Sequence, residues 1–569
     1  MLSVLLTAAL LPLPQSPENT VFETLSVQNL CAAHNPITPP IWGSMLTYPS
    51  LEGDDGRRPD LLEVRNEGNL LQPDSIVDLL HHLHTAAFDD GSLRIESRDA
   101  DLLVFGDTNT ITKVREELRE LGLVVTRPLQ IEVALWAAGS TPLAQGILGP
   151  TEYAQFAEQH RMLWRSRAET TNSRPVALDQ QRWTRYLRDV DVEVAQKAKI
   201  ANPVTDAFSE GGRVVVVPHT LAGGDDLVLY TQFGLAERRG EVAHVATGVP
   251  EQPDLEIPTL ETVYGACSGH IKNGGALAIT MTGAAGSGGN RILTIRATSK
   301  VPPATANLQG LGIYPIGALC SQGLTQMLTP PDPYPVIGDR KPVAEEIANE
   351  SPGYGAMTAD ALLYLLESVL GPDVGENFQM REQGGFLFVF AEATRLARIE
   401  AVLRSLQERC LRTVTIHHQG RLAASPGGAE SGGILHNLTF PTLIGRYGTL
   451  CRQLETNIVR DCYSEIAQDA ATTNPEVAGL QFGNWVRVRT SPLEPLVHLD
   501  LQAQSAQGEI PAIRRLSPAG ALMPPSVAST RAAHNGAIAN GRPIDHGDGP
   551  IVRNDGALCR SDLVTIVTW

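Results

Sequence analysis

The sequence predicts an α+β chain in which a small β-α-β-β-α-β unit is followed by a mainly antiparallel β unit, and the pair of units occurs twice. Three observations predict it. DLLVFGDTNTITKVREELRELG, at 101–122, joins a short apolar run to Ile111, Val114, Leu118 and Leu121 at helical spacing. FLFVFAEATRLARIEAVLRSLQ, at 386–407, has the same plan, with Val389, Phe390, Leu403 and Leu406 standing where Val104, Phe105, Leu118 and Leu121 stand. β-rich runs separated by glycine-marked turns follow each segment.

Taken in order, the first unit starts with an extended segment near Tyr48. A helix over 74–85 comes next, its residues Ile76, Val77, Leu79, Leu80 and Leu83 forming one apolar stripe. Strands at 92–96 and 102–105 follow, then a helix over 108–121. A last strand at 129–135 has Ile131 and Val133 alternating with polar neighbours. Two helices cover one face of so small a sheet and leave the other face or an edge for a neighbour. The second unit reads as mainly β. Gly223-Gly224-Asp225-Asp226 marks a hairpin within 213–235, Asn273-Gly274-Gly275 marks another within 262–283, and 291–298 is a last strand.

The correspondence runs well beyond the two opening segments. Tyr48-Pro49 is matched by Tyr334-Pro335, and DSIVDLLHHL at 74–83 by DALLYLLESV at 360–369. EVAQKAKIANP at 193–203 is matched by EIAQDAATTNP at 465–475, after which Gly211, Val214 and Val216 fall on Gly483, Val486 and Val488. PTLET at 258–262 matches PSVAS at 525–529, and IKNG at 271–274 matches IANG at 538–541. Copies this long mark a duplicated block rather than a solenoid, whose period is roughly 20–50 residues. If the copies keep their surfaces, the region of 101–122 packs beside that of 386–407, and the two β units join or align.

Composition narrows the function classes. The 569 residues carry 63 acidic against 45 basic side chains, a formal charge of -18, with no basic run, which excludes extended contact with nucleic acid. The 7 cysteines include no CxxC pair, so neither a zinc ribbon nor a thioredoxin motif is available. Cys451 and Cys462 are the pair to test for a bridge if the chain is exported. The apolar stretch from Leu2 to Leu13 is too short to span a bilayer as a helix and has the size of a signal-peptide core, without its basic flank.

Chemical motifs fare poorly. GAAGSGGN at 283–290 precedes a strand rather than a helix and lacks the Gly-Lys-Ser/Thr ending of a phosphate loop, so it reads as a hairpin loop. His81, His82 and His84 have the wrong spacing for one metal-binding helix face and read as helix surface; His417 and His418 lie together near a strand end. Glu193 and Glu465 recur, but no second acid or base recurs beside them, and their Asn-Pro reads as a turn. No catalytic, cofactor-binding or metal-binding residue is assigned, and no cofactor is expected.

The unit at 101–122 followed by LQIEVAL resembles the ring-building domains of the secretin family, and 213–298 resembles the secretin β domain, with its hairpins, Pro258-Thr259, an Asn-Gly-Gly turn and a terminal strand. The resemblance covers 45–300 and, more weakly, 330–569. It implies self-association into rings, export to the periplasm or outer membrane of a bacterium, other secretion-system envelope proteins as partners, and no enzyme activity. The expected division is a signal-like segment at 1–20, ring-building domains at 21–137 and 321–422, and secretin-like β domains at 138–320 and 423–569. Secretins carry one terminal β domain, whereas here a β unit also sits mid-chain. No apolar outward-facing hairpin with strands of about 9–11 residues is evident, so membrane association is left open. The alternatives are a soluble periplasmic scaffold built from the same domains with intrachain pairing of the copies, and an enzyme or small-molecule binder with its site in loops.

Overall fold

A computed structural model of the chain describes residues 21–31, 71–138, 146–195, 198–222, 224–246, 253–282, 290–299, 308, 310–320, 357–371, 378–422, 434–467, 470–493, 496–509, 514–517, 520–522, 526–552 and 558–568. The apolar stretch from Leu2 to Leu13, Tyr48, Tyr334 and the loop at 283–289 lie outside these residues. Among the described residues no helix is long and apolar enough to cross a membrane.

Two small sheets are built alike. Asp101–Gly106 runs between Val21–Ser26 and Arg94–Arg98, and Phe386–Phe390 runs between Leu311–Pro315 and Gln379–Gln383, all antiparallel. Helices Pro73–Leu83 and Thr108–Val125 cover one face of the first sheet, where Ile76, Leu80, Ile111 and Val114 meet Leu102 and Val104. Thr108–Val125 starts cleanly because Asp107 accepts hydrogen bonds from the backbone N–H groups of Asn109 and Thr110, at 2.8 and 3.0 Å. Helices Ala359–Leu370 and Ala393–Cys410 cover the second sheet, with Leu362, Leu366, Ile399 and Leu403 on Leu387 and Val389.

The side chains of Phe386–Phe390 go alternately to two cores. Leu387 and Val389 face their own helices, whereas Phe386 and Phe388 join the core of the first small unit. The two small units therefore share a surface, where the His82 ring also lies 4.8 Å from that of Phe390 and Arg381 reaches Asp78 at 2.9 Å. The face of the second small sheet left open by its two helices is covered by the first unit.

The strand predicted at the end of each small unit belongs elsewhere. Pro128–Ala137 and Thr413–Leu422 hydrogen-bond within a nine-stranded sheet and not within the three-stranded ones. Pro128–Ala137 has apolar residues for two cores: Leu129, Ile131 and Val133 face a second large sheet, and Ala134 and Trp136 face helix Pro150–Gln159. Such a strand belongs inside a large sheet. The boundary expected at 320 also shifts, because Leu311–Pro315 is already a strand of the second small sheet.

Two antiparallel sheets pack face to face over one core that draws Leu129, Val214, Leu293, Phe440, Val486 and Leu499 from both. The eight-stranded sheet runs Ser526–Ile538, Leu496–Glu509, Ala470–Leu493, Tyr447–Ala467, Thr259–Ile271, Leu227–Arg238, Ala198–Thr220, Val176–Ala195. The other runs Pro543–Val552, Leu558–Thr568, Thr413–Leu422, Ile434–Leu443, Ala276–Thr282, Arg291–Ser299, Pro128–Ala137, Arg161–Thr171, with Ile147–Leu148 beside Ala276–Thr282.

Two readings of turns are corrected. Asn273-Gly274-Gly275 does not close a hairpin: Thr259–Ile271 lies in the eight-stranded sheet and Ala276–Thr282 in the other, so the chain turns a corner between layers. Gly274 (φ 84°) and its counterpart Gly541 (φ 69°) each sit in the left-handed region at such a corner, and their N–H groups donate to Ala297 and Val567. A corner and a hairpin use the same glycine, so local sequence does not distinguish them. Asn202-Pro203 and Asn474-Pro475 lie inside long strands rather than at turns. Among the described residues each proline stands where its strand has a neighbour on one side, which tolerates the missing N–H.

Cysteine and histidine readings change as well. Cys451 and Cys462 lie on one strand, Tyr447–Ala467, and at about 3.3 Å per residue they stand roughly 36 Å apart, too far to bridge within the chain. His84 is buried and its Nε2 meets Glu117 at 2.6 Å, so it is not helix surface. His417 and His418 are mid-strand, and His418 packs on His436 with ring centroids 5.4 Å apart.

Candidate assembly interface

The strand order brings the two halves of the chain together at one double seam. Thr259–Ile271 pairs with Tyr447–Ala467 in one sheet, and Ala276–Thr282 pairs with Ile434–Leu443 in the other. In the eight-stranded sheet the register runs from Thr259 opposite Thr456 to Ala266 opposite Thr449. Polar side chains line it. The Thr262 hydroxyl donates to Glu455 at 2.9 Å, the Gln453 amide donates to the same carboxylate, and the Tyr264 hydroxyl donates to Gln453 at 3.4 Å. Glu455 is 0% exposed, and the bonds it accepts compensate for its lost hydration. Arg452 forms an ion pair with Glu261 beside it.

The layers are also tied across the halves. The Ser268 hydroxyl accepts from the Leu443 N–H at 3.0 Å, and the Thr413 hydroxyl accepts from the His270 N–H at 2.8 Å. Ser268→Ala leaves a buried N–H without that partner. We expect a loss of about 1–2 kcal/mol in stability by denaturant unfolding, with no change in fold by circular dichroism.

The halves present equivalent registers on both sides of this seam. The hairpin of Val176–Ala195 with Ala198–Thr220 ends at Ala195 opposite Ala198, and that of Tyr447–Ala467 with Ala470–Leu493 ends at Ala467 opposite Ala470. The first hairpin shifts register between Leu187 and Asp189, the second between Val459 and Asp461. In the nine-stranded sheet the shifts fall at Leu135/Trp136 and at Gly420/Arg421. At the outer ends, among the described residues, Val176–Ala195, Ser526–Ile538, Arg161–Thr171 and Pro543–Val552 each pair with one strand. Large apolar side chains are exposed on the first-half edges, among them Trp183 at 46%, Met162 and Leu163.

A buried knot anchors the second small unit against the eight-stranded sheet. The Ser173 hydroxyl lies 3.0 Å from His219 Nδ1, and a methyl group added at Gly317 or Gly385 would meet that hydroxyl at 2.4 or 2.6 Å. Ser173 itself holds a positive φ of 60°. The pair has the look of a nucleophile and its base, but burial, with Arg446 nearby, pushes the His219 pKa from 6.5 to about 3. A general base needs a pKa near the working pH, so this imidazole is a poor one and its role is packing.

Of the residues weighed in the sequence, Glu193 and Glu465 occupy equivalent positions near the two hairpin ends, opposite Ile200 and Thr472. Among the described residues no group of three His, Cys, Asp or Glu side chains could hold a metal ion. The Thr262–Gln453–Glu455 seam gave no signal in the sequence, because isolated polar residues in a β-rich run read as the solvent face.

No family model matches the chain, and no curated protein matches it. Solved structures do. The secretin-domain β-barrel of InvG from the Salmonella SPI-1 injectisome is 11% identical over 50% of this chain and 90% of that chain, with a TM-score of 0.24. The type II secretion system secretin GspD of E. coli K12 is 8% identical over 97% of this chain and 89% of that chain, at 0.20. Aeromonas hydrophila ExeD is 7% identical over 97% of this chain and 90% of that chain, at 0.19.

Proposed function

We propose that this chain is a non-enzymatic, secretin-related cell-envelope protein that self-assembles and takes part in protein secretion or envelope transport. The proposal includes its origin as a tandem duplication of a ring-building domain and a β domain, and its export to the periplasm or outer membrane of a bacterium. Other envelope proteins of a secretion system are the partners this role calls for.

One observation carries the self-assembly reading: the two halves follow one another in both sheets in the same strand order, and among the described residues the outermost strands keep an unpaired edge. A sheet edge is a template for another strand. A head-to-tail contact used once within the chain leaves both of its complementary surfaces free at the ends, which is the condition for repeating it between chains. The sequence resemblance to ring-building domains supports the same reading, and the absence of a recurring acid–base pair favours assembly over catalysis.

The test is the native mass of the full-length protein, extracted in detergent and measured by light scattering. Assemblies of many chains are expected. A monomer at micromolar concentration would overturn self-assembly and favour a soluble scaffold in which the halves satisfy each other.

A further inference from the structure

We propose that His436, Arg452 and His418 form a site between the two β layers that binds one small inorganic anion of the chloride kind.

The site follows from how the chain turns the corner at 444–446. Ile434–Leu443 lies in the nine-stranded sheet and Tyr447–Ala467 in the eight-stranded one, so the two strands run back over each other on facing layers. A Cβ added at Gly448 would lie 2.6 Å from Phe440 Cε2, which sets Gly448 and Phe440 at one level. The next inward-facing pair away from the corner is Leu450 with Leu438, both in the core between the layers. The pair after that is Arg452 with His436, which strand alternation turns to the same interior. His436 is 1% exposed and Arg452 is 7% exposed.

These side chains present donors that nothing else takes up. Arg452 gives its Nε and Nη2 to the Glu261 carboxylate, whereas its Nη1 has no hydrogen-bond partner among the described residues. Neither ring nitrogen of His436 has one there. Gly420 stands opposite His436, and a methyl group at that glycine would collide with the imidazole, so its absence makes room for the ring. The His418 ring lies beside it, with centroids 5.4 Å apart and its Nδ1 at 3.0 Å from the Thr565 hydroxyl. Buried donors of this kind call for an ion or a water.

The donor set selects an anion. Guanidinium and carboxylate cancel in the Arg452–Glu261 pair, and the Arg452 charge opposes a second positive charge on His436, which disfavours a metal cation as well. A bound anion reverses that balance. With His436 protonated, an imidazolium N–H and the Arg452 Nη1–H both donate to the anion, and one negative charge cancels that of the imidazolium, so the interior stays neutral. The charged and titratable groups facing this imidazole are Arg452 with Glu261 from the eight-stranded sheet and His418 from its own sheet. Burial and Arg452 hold the His436 pKa at about 3, and an accompanying anion raises it toward 6.5. Anion binding is therefore tightest in acid, where it offsets the stability that this histidine otherwise loses.

Thermal melts of the full-length protein in sodium chloride, sodium bromide and sodium gluconate at equal ionic strength test this. At pH 5, chloride and bromide are expected to raise Tm above its value in gluconate by about 2–4 °C, and at pH 8 the three salts should agree. His436→Phe is expected to remove the difference at pH 5 while keeping the fold by circular dichroism. Crystals grown in sodium bromide at pH 5 are expected to show an anomalous peak within hydrogen-bond distance of Arg452 Nη1 and a His436 nitrogen. Equal melting temperatures in the three salts at pH 5, or a halide effect that persists in His436→Phe, would overturn the site. A water at that position in the bromide crystals would overturn it too, whatever the variant does.

Discussion

Gly211→Ala is expected to destabilise the protein by about 2–6 kcal/mol, and Gly483→Ala by about 1–3 kcal/mol. A Cβ at Gly211 would lie 2.0 Å from the Gln180 carbonyl oxygen, and one at Gly483 would lie 2.2 Å from that of Arg452. Both obstacles are backbone atoms of the neighbouring strand in a long hairpin, so relief requires the strands to separate. Overpacking of this kind costs roughly 1–3 kcal/mol, and at Gly211 the φ of 118° adds strain of about 1–3 kcal/mol for a residue with a side chain. Denaturant unfolding of each variant measures the loss, and a change below about 1 kcal/mol at both positions would show that the hairpins relax freely. The two glycines answer to each other in sequence, and the loss at Gly211 is expected to be the larger because only it holds a positive φ.

Acid is expected to unfold the β layers as the pH falls from about 6.5 toward 4. His219 and His436 are both buried, and burial, reinforced by Arg446 and Arg452 respectively, lowers each pKa from 6.5 to about 3. The unfolded chain takes up these protons near pH 6.5, whereas the folded chain resists them until about pH 3. Below pH 6.5 the unfolded state therefore binds more protons and gains stability relative to the fold. Each histidine costs on the order of 3 kcal/mol by pH 4. Together that is comparable to the whole stability of a typical domain, about 5–15 kcal/mol. His436→Phe should flatten the decline, because neither ring nitrogen of His436 has a hydrogen-bond partner among the described residues and a phenyl ring takes up no proton. Thermal melts of both proteins at pH 7, 6, 5 and 4 read the difference, and parallel curves would remove His436 from the account.

Secondary structure was legible because it is local and periodic. Ile111, Val114 and Leu121 sit at helical spacing and are buried on one face, as their spacing predicts. The open face expected beside two helices is, in the second small sheet, the face from which Phe386 and Phe388 enter the core of the first unit. The continuous apolar run FLFVF reports this, since a strand buried on both faces needs no polar alternation.

The sequence by itself determined where many of the strands and helices fall, because both periods are local. Only the tertiary structure decided which strand lies beside which. Pro128–Ala137 reads like the end of a small α/β unit, yet it lies in the large sheet, because burial on both faces outweighs chain proximity. Gly274 marks a sharp turn, but whether the next strand folds back or passes to the other layer depends on partners far along the chain. Thr262, Gln453 and Glu455 became a buried seam for the same reason: polar residues in a strand look solvent-facing until a distant strand supplies their hydrogen bonds. Strand pairing is a sum of contacts between remote segments, and no window of local sequence contains both partners.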